Sequence, residues 1–180
     1  KFFMENLDPR ISGYVGLTNW HKTLLSLVYS GLPKKKIQVI GNGLQSENFD
    51  FTEKIERVPY RFIWTSSPDR GLDDLIEMFH VIHKEYPKAE LYVYRGKECF
   101  EASKMNHLIT EMDNCDYIHY GGRIDPKEVA REFRKSDIWF YPTHFTETYC
   151  ISAIEAQLSG CVCVCSNIAA LSETVGDRGF

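Results

Sequence analysis

Residues 137–165, DIWFYPTHFTETYCISAIEAQLSGCVCVC, hold a strand, a helix and a second strand in one run. DIWFY (137–141) is short and aromatic, and CVCVC (161–165) alternates Cys with Val; both read as strands. The stretch between them reads as a helix from about Thr148 to Leu158, with Gly160 as its stop. Two strands joined through a helix make a βαβ unit, and a βαβ unit makes its strands parallel.

The same alternation runs upstream of this segment. RFIWT (61–65), AELYVY (89–94) and DYIHY (116–120) are the remaining predicted strands, each followed by a polar or Gly-containing turn. Leu72, Leu75, Ile76, Phe79 and Ile82 form the i, i+3, i+4, i+7 stripe of a helix packed on a sheet, which Pro87 ends. A second helix is expected near 100–113, a third from Pro126 to about Lys135, and a short last one near Ala169. The fold class is therefore α/β, a Rossmann-like parallel sheet with helices on both faces. Residues 1–60 are less regular: YVGL, NWHKTLLSLVY and KIQVI suggest a strand, a helix and a strand at the edge of the same sheet or leading into it. EKIERVPY (53–60) is the candidate boundary.

With 180 residues, 43% apolar and 26% charged, the chain has the composition of an ordinary globular domain large enough to bury its own core. Its 25 acidic residues against 21 basic ones supply no broad basic face, so nucleic acid is not an expected partner. No stretch approaches the roughly 20 apolar residues needed to span a bilayer; LLSLVY (24–29) is cut short by Ser30 and Gly31. KFFMENLDPR does not begin with Met, lacks the basic-then-apolar order of a signal peptide, and reads as a cut end of something longer. Cys161, Cys163 and Cys165 fall on one strand face and are expected to be buried free thiols of a reducing, cytoplasmic compartment.

In an open parallel sheet ligands bind beyond the carboxyl ends of the strands. The loops expected there are SSPDRG (66–71), RGKE (95–98), GGRID (121–125), PTHFTET (142–148) and SNIAAL (166–171). Arg70 stands at the start of a long helix, where free N–H groups and the macrodipole favour an anion and a guanidinium adds bidentate contact to phosphate; an ion pair with Asp73 or Asp74 is the other reading. Thr148, Tyr149 and Cys150 begin a second helix with N–H groups to offer. Glu147 and Glu155, eight apart, would lie roughly 12 Å apart if both were helical, too far for the paired carboxylates of a hydrolase, which stand roughly 5 to 9.5 Å apart. A carboxylate is also the natural acceptor for vicinal hydroxyls, although geometry alone favours a solvated surface Glu at each position. His80 and His83 read as surface residues, and His144 as either a contact to a bound ligand or a turn residue.

The Glu-x7-Glu of ETYCISAIE, within YGGRIDPKEVAREFRKSDIWFYPTHFTETYCISAIEAQLSGCVCVCSNIAALSETVGDRG, resembles the C-terminal domain of the retaining glycosyltransferases of family 4. SPDRGLDDLIEMF is similar to that family's diphosphate-binding loop and helix, and VIGNGLQSENF (39–49) to its passage from acceptor to donor domain. The resemblance implies a GT-B enzyme of two Rossmann-like domains: residues 61–180 would bind the nucleotide sugar, and 1–60 would be a trailing piece of the acceptor domain with the junction. It implies a UDP- or GDP-sugar as donor, a saccharide or lipid as acceptor, and no cofactor. Glu147 would hold donor-sugar hydroxyls, Glu155 the ribose and Arg70 the diphosphate. Tyr149, Cys150 and Ile151 would offer backbone N–H groups, Arg123 and Ile124 would flank the base, and Gly43 would give a close backbone approach. Trp64, Thr65, Ser66 and Ser67 stand where the family often has a second basic residue, Cys150 replaces its glycine, and Ala169-Ala170 its glycine pair. With no Asp-x-Asp motif, leaving-group charge would fall to Arg70 and the helix start. The rivals are an NAD-linked Rossmann oxidoreductase, for which the Gly41-Asn42-Gly43 fingerprint fails at Ser46, and a nucleotide-sugar-binding module without catalysis.

Overall fold

The computed structural model describes residues 10–29 and 32–180. Residues 1–9 of the stretch read as a cut end, and Ser30 and Gly31, lie outside the described residues. The elements in chain order are β1 (Tyr14–Gly16), α1 (Asn19–Val28), β2 (Ile37–Val39), β3 (Arg61–Trp64), α2 (Leu72–Glu85), β4 (Glu90–Val93), α3 (Lys97–Ser103), α4 (His107–Asp113), β5 (Ile118–Tyr120), α5 (Pro126–Lys135), β6 (Ile138–Tyr141), α6 (Ile151–Leu158), β7 (Val162–Cys165) and α7 (Leu171–Val175).

Strands β3 to β7 form a five-stranded sheet in the order β5-β4-β3-β6-β7, every pair parallel. The chain moves outward from β3 to β5, returns, and continues on the other side of β3 with β6 and β7. That reversal is a topological switch point, and the crevice it opens lies beyond the carboxyl ends of β3 and β6. The Rossmann-like parallel sheet expected from the alternation is thus the observed one. β1 and β2 do not join it; they pair with each other, Tyr14 opposite Ile37, in a separate two-stranded parallel sheet.

The core is aromatic. Ile63, Trp64, Trp139 and Tyr141 on the two central strands are fully buried, as are Leu72, Leu75 and Phe79 of the α2 stripe, and Ile76 is 1% exposed. Each such side chain contributes about 1.5 to 3 kcal/mol through burial. Cys161 and Cys163 are buried and Cys165 is half-buried, and all three are free thiols. Burial pushes Cys161 up to about 11 and Cys163 up to about 12.

Two expected elements differ in detail. The helix expected near 100–113 is two, because Lys104 takes a left-handed φ of 60° and Met105 N–H closes back on the Phe100 carbonyl at 2.8 Å, a helix stop without glycine. The helix expected from Thr148 starts at Ile151, since Cys150 has a φ of 74°. His80 and His83 are part-exposed surface residues, as expected, and both are engaged: the His83 ring stacks on Tyr117 at 3.7 Å between centroids, and His80 Nδ1 lies 2.9 Å from the Tyr117 hydroxyl.

Candidate functional site

Two loops meet at the switch point. The β3–α2 loop turns through a short 3₁₀ segment, Pro68–Arg70, into Gly71, whose φ is +101°. A Cβ on Gly71 would stand 2.6 Å from the Pro142 carbonyl oxygen in the β6–α6 loop. Glycine there lets the two loops touch, and the contact brings Arg70 to Glu147.

Glu147 is 5% exposed. Arg70 Nη1 donates to its Oε1 at 2.9 Å, and the Tyr141 hydroxyl donates to the same oxygen at 2.7 Å. The Arg70 guanidinium also lies 4.2 Å from the centre of the Phe145 ring. Burial works against the Arg70 charge, but Glu147 outweighs it and holds the guanidinium above its ordinary range. Arg70 therefore pairs with Glu147 rather than with Asp73 or Asp74. Glu147 is not a solvated surface carboxylate.

Around this pair opens a cleft of about 870 Å³, within the range of pockets that hold small ligands. Arg70, Glu147, Tyr149, Cys150, Ile151, Glu155, Arg123 and Ile124 all line it. Glu155, on α6, has no ion pair or side-chain hydrogen bond among the described residues, and burial alone lifts its carboxyl to about 7. Burial likewise raises the Cys150 thiol to about 11, so it stays protonated. No described group accepts from the N–H groups of Tyr149, Cys150 or Ile151, which leaves them available at the start of α6. Arg123 is mostly exposed and pairs with Glu98 at 3.0 Å across the cleft mouth.

Gly43 is the exception. It does not line the cleft, and a Cβ on it would meet nothing within 4 Å. The close contact lies two residues earlier, where a Cβ on Gly41 would come 2.8 Å from the Tyr149 ring. Asn42 between them does line the cleft, and a single 3₁₀ turn, Ser46–Asn48, follows rather than the α-helix that a dinucleotide fingerprint opens. His144 is exposed, 3.3 Å from Asp74, and lies outside the cleft lining.

Sequence reasoning missed Tyr141 and Phe145, which hold Glu147 and Arg70. It named Ser66 only as a departure from the family, though its hydroxyl stands 3.2 Å from that of Ser152 on the cleft lining, and it passed over Arg95 and over Glu98, which lies in the first turn of α3 rather than in the loop expected there. Tyr141 carried no separate signal, because an aromatic at the end of a core strand reads as packing alone.

The sequence model of the family described as glycosyl transferases group 1 matches residues 61–179. The O-antigen chain mannosyltransferase B of Escherichia coli is 24% identical over 119 residues, 66% of this chain and 31% of the relative. The MMP alpha-(1->4)-mannosyltransferase of Mycolicibacterium hassiacum is 26% identical over 151 residues, 81% and 34% respectively. The chain spans between 31% and 42% of the length of the curated relatives it matches. Among solved structures, a glycosyltransferase from Rickettsia africae superimposes with a TM-score of 0.75 at 16% identity, covering 98% of this chain and 49% of that one. Anabaena HepE, in complex with UDP and glucose, gives a TM-score of 0.69 at 16% identity, covering 94% and 48%. These likenesses carry the fold, and the family match extends over the whole five-stranded sheet and its cleft loops. The chain belongs to the glycosyl transferases group 1 family.

Proposed function

We propose that the cleft binds the donor of a retaining sugar transfer, a UDP- or GDP-sugar, and that the longer enzyme to which such a domain belongs passes the sugar to a saccharide or lipid acceptor. Residues 61–180 would be the donor-binding domain, and 1–60 the trailing piece of the acceptor domain with its junction. The observation that carries this reading is the meeting of Arg70 and Glu147 at the switch point, with an unpaired Glu155 in the same cleft. A cation beside free helix N–H groups suits a diphosphate, and two separated carboxylates suit two sets of hydroxyls.

In this reading Arg70 and the α6 N–H groups take up charge developing on the leaving diphosphate, Glu147 orients the sugar, and Glu155 accepts from the ribose. Tyr149, Cys150 and Ile151 supply the N–H groups, while Arg123 and Ile124 stand where the base would lie. Gly43, open to solvent, has the smallest part.

Calorimetry with uridine, UDP, guanosine and GDP tests it. Arg70→Ala is expected to weaken diphosphate binding by about 1.5 to 3 kcal/mol, roughly 10- to 150-fold, and to leave nucleoside binding unchanged. Glu155→Ala is expected to weaken nucleoside and diphosphate alike. Equal losses for both ligands in the Arg70 variant would remove Arg70 from the phosphate site.

A further inference from the structure

Tyr141 is the last residue of β6 and is fully buried. Its ring packs against both Trp64 and Trp139, with centroids 5.0 Å away in each case. The hydroxyl donates to Glu147 Oε1, the oxygen that Arg70 also holds. The Glu147 backbone is fixed as well, its N–H on the Phe145 carbonyl at 2.9 Å and its carbonyl accepting from Ala170 at 3.1 Å. No described residue donates to Oε2, while the residue itself lines the cleft.

The two holds on Oε1 differ in permanence. The Arg70 side chain is 35% exposed and would be drawn to any bound diphosphate, whereas Tyr141 is fully buried and does not line the cleft, its phenol shared only with the neighbouring side chains of Glu147, Ser66 and Arg70. Burial, then Glu147, pushes the phenol far above its ordinary range, which keeps it protonated and able to donate at neutral pH.

Resting on the reading of the cleft as a nucleotide-sugar site, we infer that Tyr141 is a positioning residue: its hydroxyl keeps Glu147 Oε1 engaged when Arg70 turns to the diphosphate, leaving Oε2 as the acceptor for hydroxyls of the donor sugar. The role acts on the sugar alone and not on the nucleotide.

Tyr141→Phe deletes one oxygen and retains the ring contacts, with thermal melting as the control for folding. Calorimetry on the chain with UDP and UDP-glucose, and with GDP and GDP-mannose, separates the sugar's share of binding from the nucleotide's. The variant is expected to lose roughly three- to tenfold in affinity for the nucleotide sugar it prefers, with the matching diphosphate unchanged. In a Glu147→Ala background the same substitution should change nothing further, since the acceptor is gone. Equal losses for sugar-bearing and sugar-free ligands, no loss for either, or an undiminished effect without Glu147 would overturn the inference. Binding of no nucleotide by the wild-type chain would instead overturn the reading of the cleft, and the role of Tyr141 with it.

Discussion

Glu155 shows what burial does to one side chain. It is part-buried without an ion-pairing partner among the described residues, and desolvation lifts its carboxyl from 4.5 to about 7. Between those values the folded chain binds more protons at this site than the unfolded chain does. Its contribution to stability is therefore fully present below 4.5 and is lost as the pH rises through 7. The loss is on the order of 1 to 2 kcal/mol once solvent screening of a part-exposed group is included. Glu155→Gln removes the titration, so the gap in urea midpoint between variant and wild type should widen in the variant's favour from about pH 5 to about pH 8. A constant gap would mean that the carboxyl titrates as an exposed one.

At the scale of elements, the active geometry depends on how loops meet rather than on how helices and strands form. α5 is capped by Asp125, whose carboxylate accepts from Lys127 N–H at 2.9 Å and Glu128 N–H at 3.1 Å, with Pro126 in its first turn. That helix is specified locally. The β3–α2 loop is not: Gly71 combines a positive φ with a backbone contact to Pro142 that no side chain can occupy. Gly71→Ala is expected to cost at least about 2 kcal/mol through strain and collision, read as a lowered urea midpoint, and to loosen the contact that brings Arg70 to Glu147. An unchanged midpoint would show that the two loops can separate freely.

On the scale of the whole molecule, the segment carrying β1, α1 and β2 is tied to the five-stranded unit by polar contacts around one helix end. The Glu173 carboxylate, on α7, accepts from Asn19 N–H at 2.8 Å and Trp20 N–H at 3.0 Å, the first two of α1. Thr18 caps the next N–H, of His21, and its own hydroxyl donates to the Thr148 carbonyl at 3.1 Å. The free donors of α1 are thus satisfied partly from a residue about 150 positions downstream. Burial raises the Glu173 carboxyl, but the N–H groups of Asn19 and Trp20 outweigh it and hold it below its ordinary range. Glu173→Ala should speed amide exchange at Asn19 and Trp20 by roughly tenfold while leaving exchange in β3 and β6 unchanged. Equal protection in variant and wild type would show that α1 docks without this cap.

The strands and helices of residues 61–180 were legible in the sequence because their signals are local. Alternation in CVCVC, the Leu72–Phe79 stripe, and Pro126 and Gly160 as start and stop each act within one element, and each is where the pattern placed it. The loops bearing the candidate site were legible for a related reason, since a parallel sheet puts them at one end. Four things were decided only in three dimensions: the pairing of Arg70 with Glu147 instead of Asp73 or Asp74, the packing of Tyr141 against two tryptophans, the close approach at Gly41 instead of Gly43, and the separation of β1 and β2 into their own sheet. Each depends on two segments far apart in the chain arriving at one place, and the free energy of that meeting belongs to neither segment alone.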